Sequence, residues 1–207
     1  MKETTPPRLE LALKEHLAPY LREDGFSGSG RTFRRLRDGW VQVVGVQGSR
    51  YGGQFAINLG LQPLSVVHVL GELPDPKKIT DSLCEFRRRL AVDGSDQWWS
   101  HGQSQESMNM AVKQAAAVYA TTGRHLLAAV SGPQSPFESI SPAAFAQSTE
   151  SFLGFGSTQV RMALVLARLR RQQDRKLESA AFAEIGLGGV GPAVGLRREL
   201  EELAVRQ

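Results

Sequence analysis

Arginine is the residue type whose placement most suggests chemistry in this chain of 207 residues. Two clusters fall in strand-like segments among aromatic residues: Arg31, Arg34, Arg35 and Arg37 in the first, and Arg87, Arg88 and Arg89 in the second. Arginine and aromatic side chains on a sheet can bind RNA or single-stranded DNA through phosphate contacts and base stacking. The net charge of +4 permits a nucleic acid or an acidic partner without favouring one.

Other reactive residue types form no recognisable catalytic or cofactor motif. The four histidines lie in different segments, and none has metal-ligand spacing with Asp, Glu or the single cysteine, Cys84. Gly186, Gly188 and Gly191 match the spacing of a dinucleotide-binding loop, but the residues before them have a helical pattern, which favours a helix end followed by a linker. We therefore expect no catalytic residue, no metal and no cofactor.

The clearest structural signal surrounds Asp38-Gly39, a dipeptide typical of a two-residue hairpin turn. Strand-like runs flank it at residues 31–37 and 40–47, and a third run follows at residues 54–61. We predict a three-stranded antiparallel meander in which Arg37 pairs with Trp40 and Gln47 with Gln54.

This register assigns the side chains of the three strands to two faces. The apolar face should be the core side, and it holds Phe33, Trp40, Val44, Val46, Phe55, Ile57, Leu59 and Leu61. The other face is small and mostly polar, so that a ligand or another backbone could approach it, although a packed helix or plain solvation would also account for it. The candidate ligand-binding residues are Arg34, Gln47, Gln54 and Asn58 on this face, with Arg50 and Tyr51 of the following loop at its rim.

Helical periodicity dominates the two ends of the chain. Leu9, Leu13, Leu17 and Leu21 recur at intervals of four, which predicts an amphipathic helix that is kinked near Pro19. Further strands are predicted at residues 82–90 and at Trp98-Trp99, and helices at residues 108–130, 158–171, 176–185 and 196–205. The expected fold class is α+β: an N-terminal helix, an antiparallel meander sheet of about four or five strands, and C-terminal helices packed beside it.

The expected organisation has three parts. Residues 1–130 form an α+β domain with the antiparallel sheet, residues 131–157 form a loop-rich connection of Ser, Pro and Gly, and residues 158–207 form a C-terminal helical extension.

The meander residues resemble a known family. Gly25-Phe26, Gly30 to Arg35, Gly39 to Val44, Gln47, Ser49-Arg50, Phe55 and Ile57 to Gly60 are similar to the bacterial domain-of-unknown-function family numbered four-three-zero-four. Phe86 to Leu90 and the Trp98-Trp99 pair are similar to that family's second half, so that the resemblance covers roughly residues 8–130. It implies a small cytoplasmic bacterial α+β domain, and it implies no activity, cofactor or catalytic residue.

The function that we expect is a non-enzymatic interaction module, which binds an unknown protein or a small polar ligand on the polar face of the sheet. The N-terminus has no apolar stretch typical of a secretory signal, no apolar run approaches the ~20 residues that span a bilayer, and one cysteine fits a reducing, cytoplasmic setting. Two alternatives stay open: a nucleic-acid-associated protein that uses the arginine and aromatic strands, and an enzyme acting on an unidentified polar substrate.

Overall fold

Two short helices, α1 (Leu9–His16) and α2 (Ala18–Glu23), precede the sheet in the computed structural model, which describes residues 8–93, 96–148 and 152–205. The sequence predicts one helix with a kink near Pro19, and the chain instead breaks at Leu17, with Pro19 in the first turn of α2. The break has a physical cause, because proline has no N–H to donate and its ring clashes with the preceding turn of a continuous helix. Leu9, Leu13, Leu17 and Leu21 are all buried, as predicted.

The described residues form six antiparallel strands, which confirms the α+β class and the meander. The strands are β1 (Ser27–Ser29), β2 (Thr32–Arg37), β3 (Trp40–Gly48), β4 (Gln54–Pro63), β5 (Phe86–Arg89) and β6 (Trp99–Ser100). Their order is β1-β2-β3-β4-β5, and β6 also pairs with β4. The β2–β3 turn has positive φ at both Asp38 (49°) and Gly39 (80°), as a type I′ turn requires.

The register of the first hairpin is confirmed and that of the second is corrected. Arg37 lies opposite Trp40 as predicted, but Gln47 lies opposite Ala56 rather than Gln54. The second loop is shorter than the sequence suggests, because Ser49 N–H donates to the Gln54 carbonyl at 2.9 Å. The resulting shift of two residues leaves every side chain on its predicted face, since side chains alternate with a period of two.

The inner face of the sheet, which carries the eight residues predicted for the core, packs against the helices. All eight side chains are at most 7% exposed. The helices that follow the sheet are α3 (Gln105–Val118), α4 (Arg124–Ala129), α5 (Pro136–Ser139), α6 (Pro142–Gln147), α7 (Gln159–Gln172), α8 (Lys176–Gly189) and α9 (Val194–Ala204). A single π-helical turn, Tyr119–Gly123, joins α3 to α4. One hydrophobic cluster includes inner-face strand residues and residues of α7, α8 and α9.

Residues between the sheet domain and the last helices have more structure than their composition suggests. The short helices α5 and α6 each begin with a proline that follows a serine, and they bury Phe137 and Phe145. Arg170 of α7, whose side chain is 0% exposed, donates from Nη2 to the carbonyls of Phe137 at 3.0 Å and Glu138 at 3.1 Å. This buried guanidinium satisfies carbonyls that so short a helix leaves without partners.

The glycine triplet near the C-terminus lies in and after α8, as the helix-end interpretation predicts. Gly186 packs against Leu200, since a Cβ at position 186 would lie 2.7 Å from Leu200 Cδ2. A dinucleotide loop needs a strand before it, and a helix stands there instead. None of the helices in the described residues has the length and apolar character needed to cross a membrane.

Candidate ligand-binding site

The outer face of the sheet, opposite the core, is covered in part by the chain between β4 and β5. Val41 and Val43 pack there with Ile79 and Cys84 in a second, small apolar cluster. Two glycines allow this close approach, because a Cβ on Gly60 would lie 2.8 Å from Cys84 Sγ and one on Gly45 would overlap the Asp81 carboxylate. The cover is a loop with a 3₁₀ turn at Asp81–Leu83, rather than a packed helix.

One uncovered part of the outer face is a depression of about 400 Å³, which we call the outer-face pocket. The described residues that line it are Gln47, Asn58, Asp81, Ser82, Arg87, Arg88, Arg89, Asp96 and Gly156. It is polar, and it lies between β4, β5 and the loop that carries Asp81.

Strand register brings the polar side chains of this pocket together. Gly45, Asn58 and Arg89 lie side by side across β3, β4 and β5, and Gly60 and Arg87 lie in the next row. Neighbouring strands are ~4.8 Å apart, and directly opposed residues share a face. Asn58, Arg87 and Arg89 therefore belong to one small patch, beside the space that Gly45 and Gly60 leave for Asp81.

Hydrogen bonds and an ion pair hold one side of the pocket in place. Asn58 Nδ2 donates to Asp81 Oδ2 at 2.9 Å and to Gln47 Oε1 at 3.3 Å. Arg89 Nη2 donates to the same Gln47 oxygen at 3.2 Å, and its Nη1 lies 3.0 Å from Asp96 Oδ1. The Arg89 guanidinium also lies 4.7 Å from the centre of the Trp98 ring, a cation–π contact that fixes its plane.

Arg87 is different, because its guanidinium is exposed and has no strong partner. Its Nη1 lies 3.5 Å from the Ser82 carbonyl, a distance at which a hydrogen bond is weak. Among the described residues, the ion pairs within 4.0 Å include neither Arg87 nor Asp81. The pocket thus contains a cation and an anion that do not neutralise each other.

Gln47 and Asn58 are the sequence-predicted site residues that line the outer-face pocket. Arg34 shares their face, but its Nε donates to the Ile79 carbonyl at 2.5 Å and its Nη2 to the Lys78 carbonyl at 3.0 Å. Arg34 therefore holds the covering loop against the sheet, and burial there lowers the pKa of its guanidinium.

The other three predicted site residues lie nearer the tip of the β3–β4 hairpin. Tyr51 is 80% exposed, and the Arg50 guanidinium lies 4.6 Å from the centre of its ring. Gln54 lies opposite Ser100 of β6. None of these three is among the residues that line the pocket.

Sequence reasoning did not assign Asp81, Arg87, Arg89 and Asp96 to this site. The arginines stood out as a cluster on a strand, but nothing in residues 64–85 shows that this strand pairs with β4. The covering loop has no period that would place Asp81 over the sheet. Only the glycines at positions 45 and 60, on the outer face, give a sequence signal for close approach of another segment.

The first arginine cluster is largely occupied by contacts within the protein. Arg31 Nε lies 2.7 Å from Glu10 Oε1, and Arg37 Nε lies 3.7 Å from Asp38 Oδ2. Arg35 donates to Gln42 Oε1 at 2.7 Å and to the Asp24 carbonyl at 2.6 Å. The aromatic residues of this region, Phe33 and Trp40, are buried in the core and present no stacking surface.

The ionisable side chains that line the outer-face pocket are carboxylates and guanidinium groups. Its described lining residues include no His, Cys, Lys or Tyr. Cys84 lies beneath the covering loop, where burial raises the pKa of its thiol and its Sγ contacts the Thr80 carbonyl at 3.4 Å. No group of three His, Cys, Asp or Glu side chains in the described parts of the chain is placed to hold a metal ion.

Comparison with known proteins places the pocket in a recognised family segment. A family model described as a domain of unknown function (DUF4304) matches residues 17–122. No curated protein and no solved structure matches the chain. Every described residue that lines the pocket, except Gly156, lies within the matched segment. The match covers more than half of the chain and confirms the resemblance seen in the sequence: the chain belongs to the DUF4304 family.

Proposed function

We propose that the protein is a non-enzymatic binding module, which takes a small polar ligand in the outer-face pocket. Arg87 carries this proposal, because it is an exposed guanidinium that lines a polar pocket of about 400 Å³ and has no ion-pair partner among the described residues. Most other arginines of the sheet are bonded to protein groups. An arginine that the fold leaves open is available to a ligand.

The surroundings of Arg87 also support binding. Asn58, Gln47 and Arg89 hold one another by hydrogen bonds, so the pocket wall is organised before a ligand arrives. A wall that is already ordered reduces the entropy lost on binding. The volume lies at the lower end of the range of ~300–1,000 Å³ typical of small-molecule sites.

Binding accounts for this chemistry better than catalysis does. The pocket has converging ionisable side chains, which is what an enzyme on a polar substrate would also need. Its described ionisable groups, however, are carboxylates and guanidinium groups, with no His, Cys, Lys or Tyr among them. Such groups orient and hold a ligand through charge-assisted hydrogen bonds.

The nucleic-acid alternative has less support from the geometry. Arg31 and Arg35 are hydrogen-bonded within the protein, Arg37 Nε lies 3.7 Å from Asp38 Oδ2, and Phe33 and Trp40 are buried. A strand-wide surface of open arginines and stacking aromatics, as single-stranded nucleic acid requires, is therefore not formed by β2 and β3. The lone buried cysteine fits a protein that works in the reducing cytoplasm, which we include in the proposal.

The test is a survey by NMR of ¹⁵N-labelled protein with four classes of small polar compound: amino acids, sugars, nucleosides and inorganic phosphate. We expect one class to shift the backbone amides of Asn58, Asp81 and Arg87 in a saturable way. Arg87→Gln should abolish that response, because it removes the open charge and keeps an amide of similar polarity.

The matched control is Arg22→Gln, which removes an exposed arginine from α2, away from the pocket. This variant should respond as the native protein does. Shifts confined to other surfaces, an unchanged response in Arg87→Gln, or no response to any of the four classes at millimolar concentration would each contradict the proposal.

A further inference from the structure

The charge pattern of the outer-face pocket specifies a kind of ligand. Arg89 is neutralised by Asp96 at 3.0 Å, and the Arg88 guanidinium donates to the Leu153 carbonyl. The charged groups left open to a ligand are the Arg87 guanidinium and the Asp81 carboxylate. The described lining thus carries a net charge of +1, and the two charged groups without a partner of opposite charge or a close hydrogen bond to the charged group's donors, Arg87 and Asp81, give the pocket one positive and one negative end.

The Asp81 carboxylate is the negative end of the pocket. Its Oδ2 accepts from Asn58 Nδ2 at 2.9 Å, and its Oδ1 accepts no hydrogen bond from a described residue. The side chain stays over the sheet because Gly45 leaves space beneath it. A fixed carboxylate that lines a pocket can accept a hydrogen bond from an ammonium group.

We infer that the outer-face pocket binds a small zwitterion, a molecule with one carboxylate and one ammonium group, such as a free amino acid or a dipeptide; this inference rests on the function proposed above. The carboxylate is received by Arg87, whose planar guanidinium presents paired N–H donors. The ammonium group donates to the Asp81 carboxylate.

Ligands with a single kind of charge fit this pattern less well. An anion such as phosphate would form an ion pair with Arg87 but would be repelled by the carboxylate of Asp81. A simple cation would pair with Asp81 but would be repelled by the Arg87 guanidinium. Like charges a few ångströms apart repel, most strongly where a pocket partly excludes water. A zwitterion satisfies both ends and needs no change in the ionisation of the protein.

The experiment compares four small probes that differ in charge and in length, by amide-shift titration of the full chain. The zwitterions are L-alanine and glycylglycine, the anion is N-acetylalanine and the cation is alaninamide. We expect at least one zwitterion to bind about tenfold or more tightly than N-acetylalanine and alaninamide, because each of these lacks one charge-assisted contact. The two zwitterions distinguish an amino acid from a longer ligand.

Variants of Asp81 and Arg87 show which charged group of the ligand each residue binds. Asp81→Asn should weaken binding of the zwitterion, because the ammonium group loses its anionic partner, and should strengthen binding of N-acetylalanine, because the repulsion between the two carboxylates is removed. Arg87→Gln should weaken both, and Arg22→Gln should weaken neither. Should Asp81→Asn fail to fold, the four probes on the native protein still decide the question.

Two failures are distinguishable. If N-acetylalanine or inorganic phosphate binds the pocket as tightly as both zwitterions do, the zwitterion inference is wrong and the pocket remains a binding site for anions. If no probe shifts the amides of Asp81 and Arg87, the zwitterion inference is wrong, and a parallel absence of response to sugars and nucleosides would also refute the proposed function.

Discussion

Arg170 and Arg87 show opposite uses of the same side chain in two regions of the molecule. Arg170, among the C-terminal helices, is 0% exposed and donates to carbonyls of Phe137, Glu138 and Ile140 and to Glu178. Arg87, on the outer face of the sheet, is exposed and contacts one carbonyl at 3.5 Å. The first position uses the guanidinium for folding, whereas the second leaves it free.

The difference indicates which arginines of an arginine-rich chain are available to bind a ligand. An arginine whose donors are all used inside the protein has little left to offer a ligand, and its loss is felt as loss of stability. An arginine left open beside a fixed polar wall adds little to stability and can be reserved for function. Substitutions in the two regions should therefore affect different measurements.

Replacing Arg170 with Met should give the largest loss of stability. The change leaves the carbonyls at α5 without donors and removes a partner of Glu178, at a cost of about 3–4 kcal/mol in the free energy of unfolding. Urea unfolding followed by circular dichroism measures this directly. A loss below 1 kcal/mol, on the order of a surface substitution, would show that the buried network is not what holds α5 and α7 together.

Replacing Arg161 with Met should have a smaller effect. Arg161 donates to both Glu85 carboxylate oxygens, at 2.8 and 2.9 Å, and the Glu85 side chain is 0% exposed. Arg168 remains 3.9 Å from Glu85, so we expect a loss of about 2 kcal/mol. Pairing the change with Glu85→Gln should restore part of the loss in a double-mutant cycle, whereas additive losses would refute a direct interaction.

Replacing Tyr119 with Phe should have a still smaller effect that depends on pH. The hydroxyl donates to Asp24 Oδ2 at 2.7 Å, and burial followed by this hydrogen bond raises the pKa of Tyr119. A raised pKa means that the stabilisation is complete below the ordinary tyrosine pKa of about 10 and declines above it. The native protein should exceed the variant by about 1 kcal/mol at pH ~8 and by less at pH ~10.5. Parallel pH profiles of the two proteins would contradict this account.

Replacing Arg87 with Gln should barely change stability. The side chain has no ion-pair partner among the described residues, so a change within about 0.5 kcal/mol is expected, similar to Arg22→Gln. The same urea measurement applies to both variants. A loss of more than about 1.5 kcal/mol would show that Arg87 has a structural role and would remove the contrast with Arg170.

Much of the sheet could be predicted from the sequence because its signals are local. Asp38-Gly39 specifies a turn by backbone conformation, and the alternation of Phe33, Val44, Val46 and their neighbours specifies the inner face. The β3–β4 register was misplaced by two residues, because a glycine-rich loop has no single length that its sequence dictates. Burial was unaffected by the error, since only an odd shift exchanges the faces.

The candidate site could be predicted only in part, because its halves are distant in sequence. Gln47 and Asn58 follow from alternation along the meander. Asp81 and Arg87 reach the same pocket through the covering loop, whose sequence has no periodicity. Arg34 holds this loop against the sheet, and Gly45 and Gly60 leave space for it. Such packing depends on tertiary contacts that local patterns do not encode. The same holds for Gly156, which is distant in sequence from β5 and forms an isolated antiparallel bridge with Arg87.

The most direct test of the account is the Arg87 side-chain Nε–H signal in a ¹H–¹⁵N spectrum, assigned with Arg87→Gln and followed during addition of L-alanine and glycylglycine. The account predicts that this signal shifts saturably with at least one of the two, while the Arg170 Nε–H signal stays where it is. An Arg87 signal that does not move with either compound, or that moves no more than the Arg170 signal does, would contradict the claim that the fold keeps this guanidinium free for a ligand.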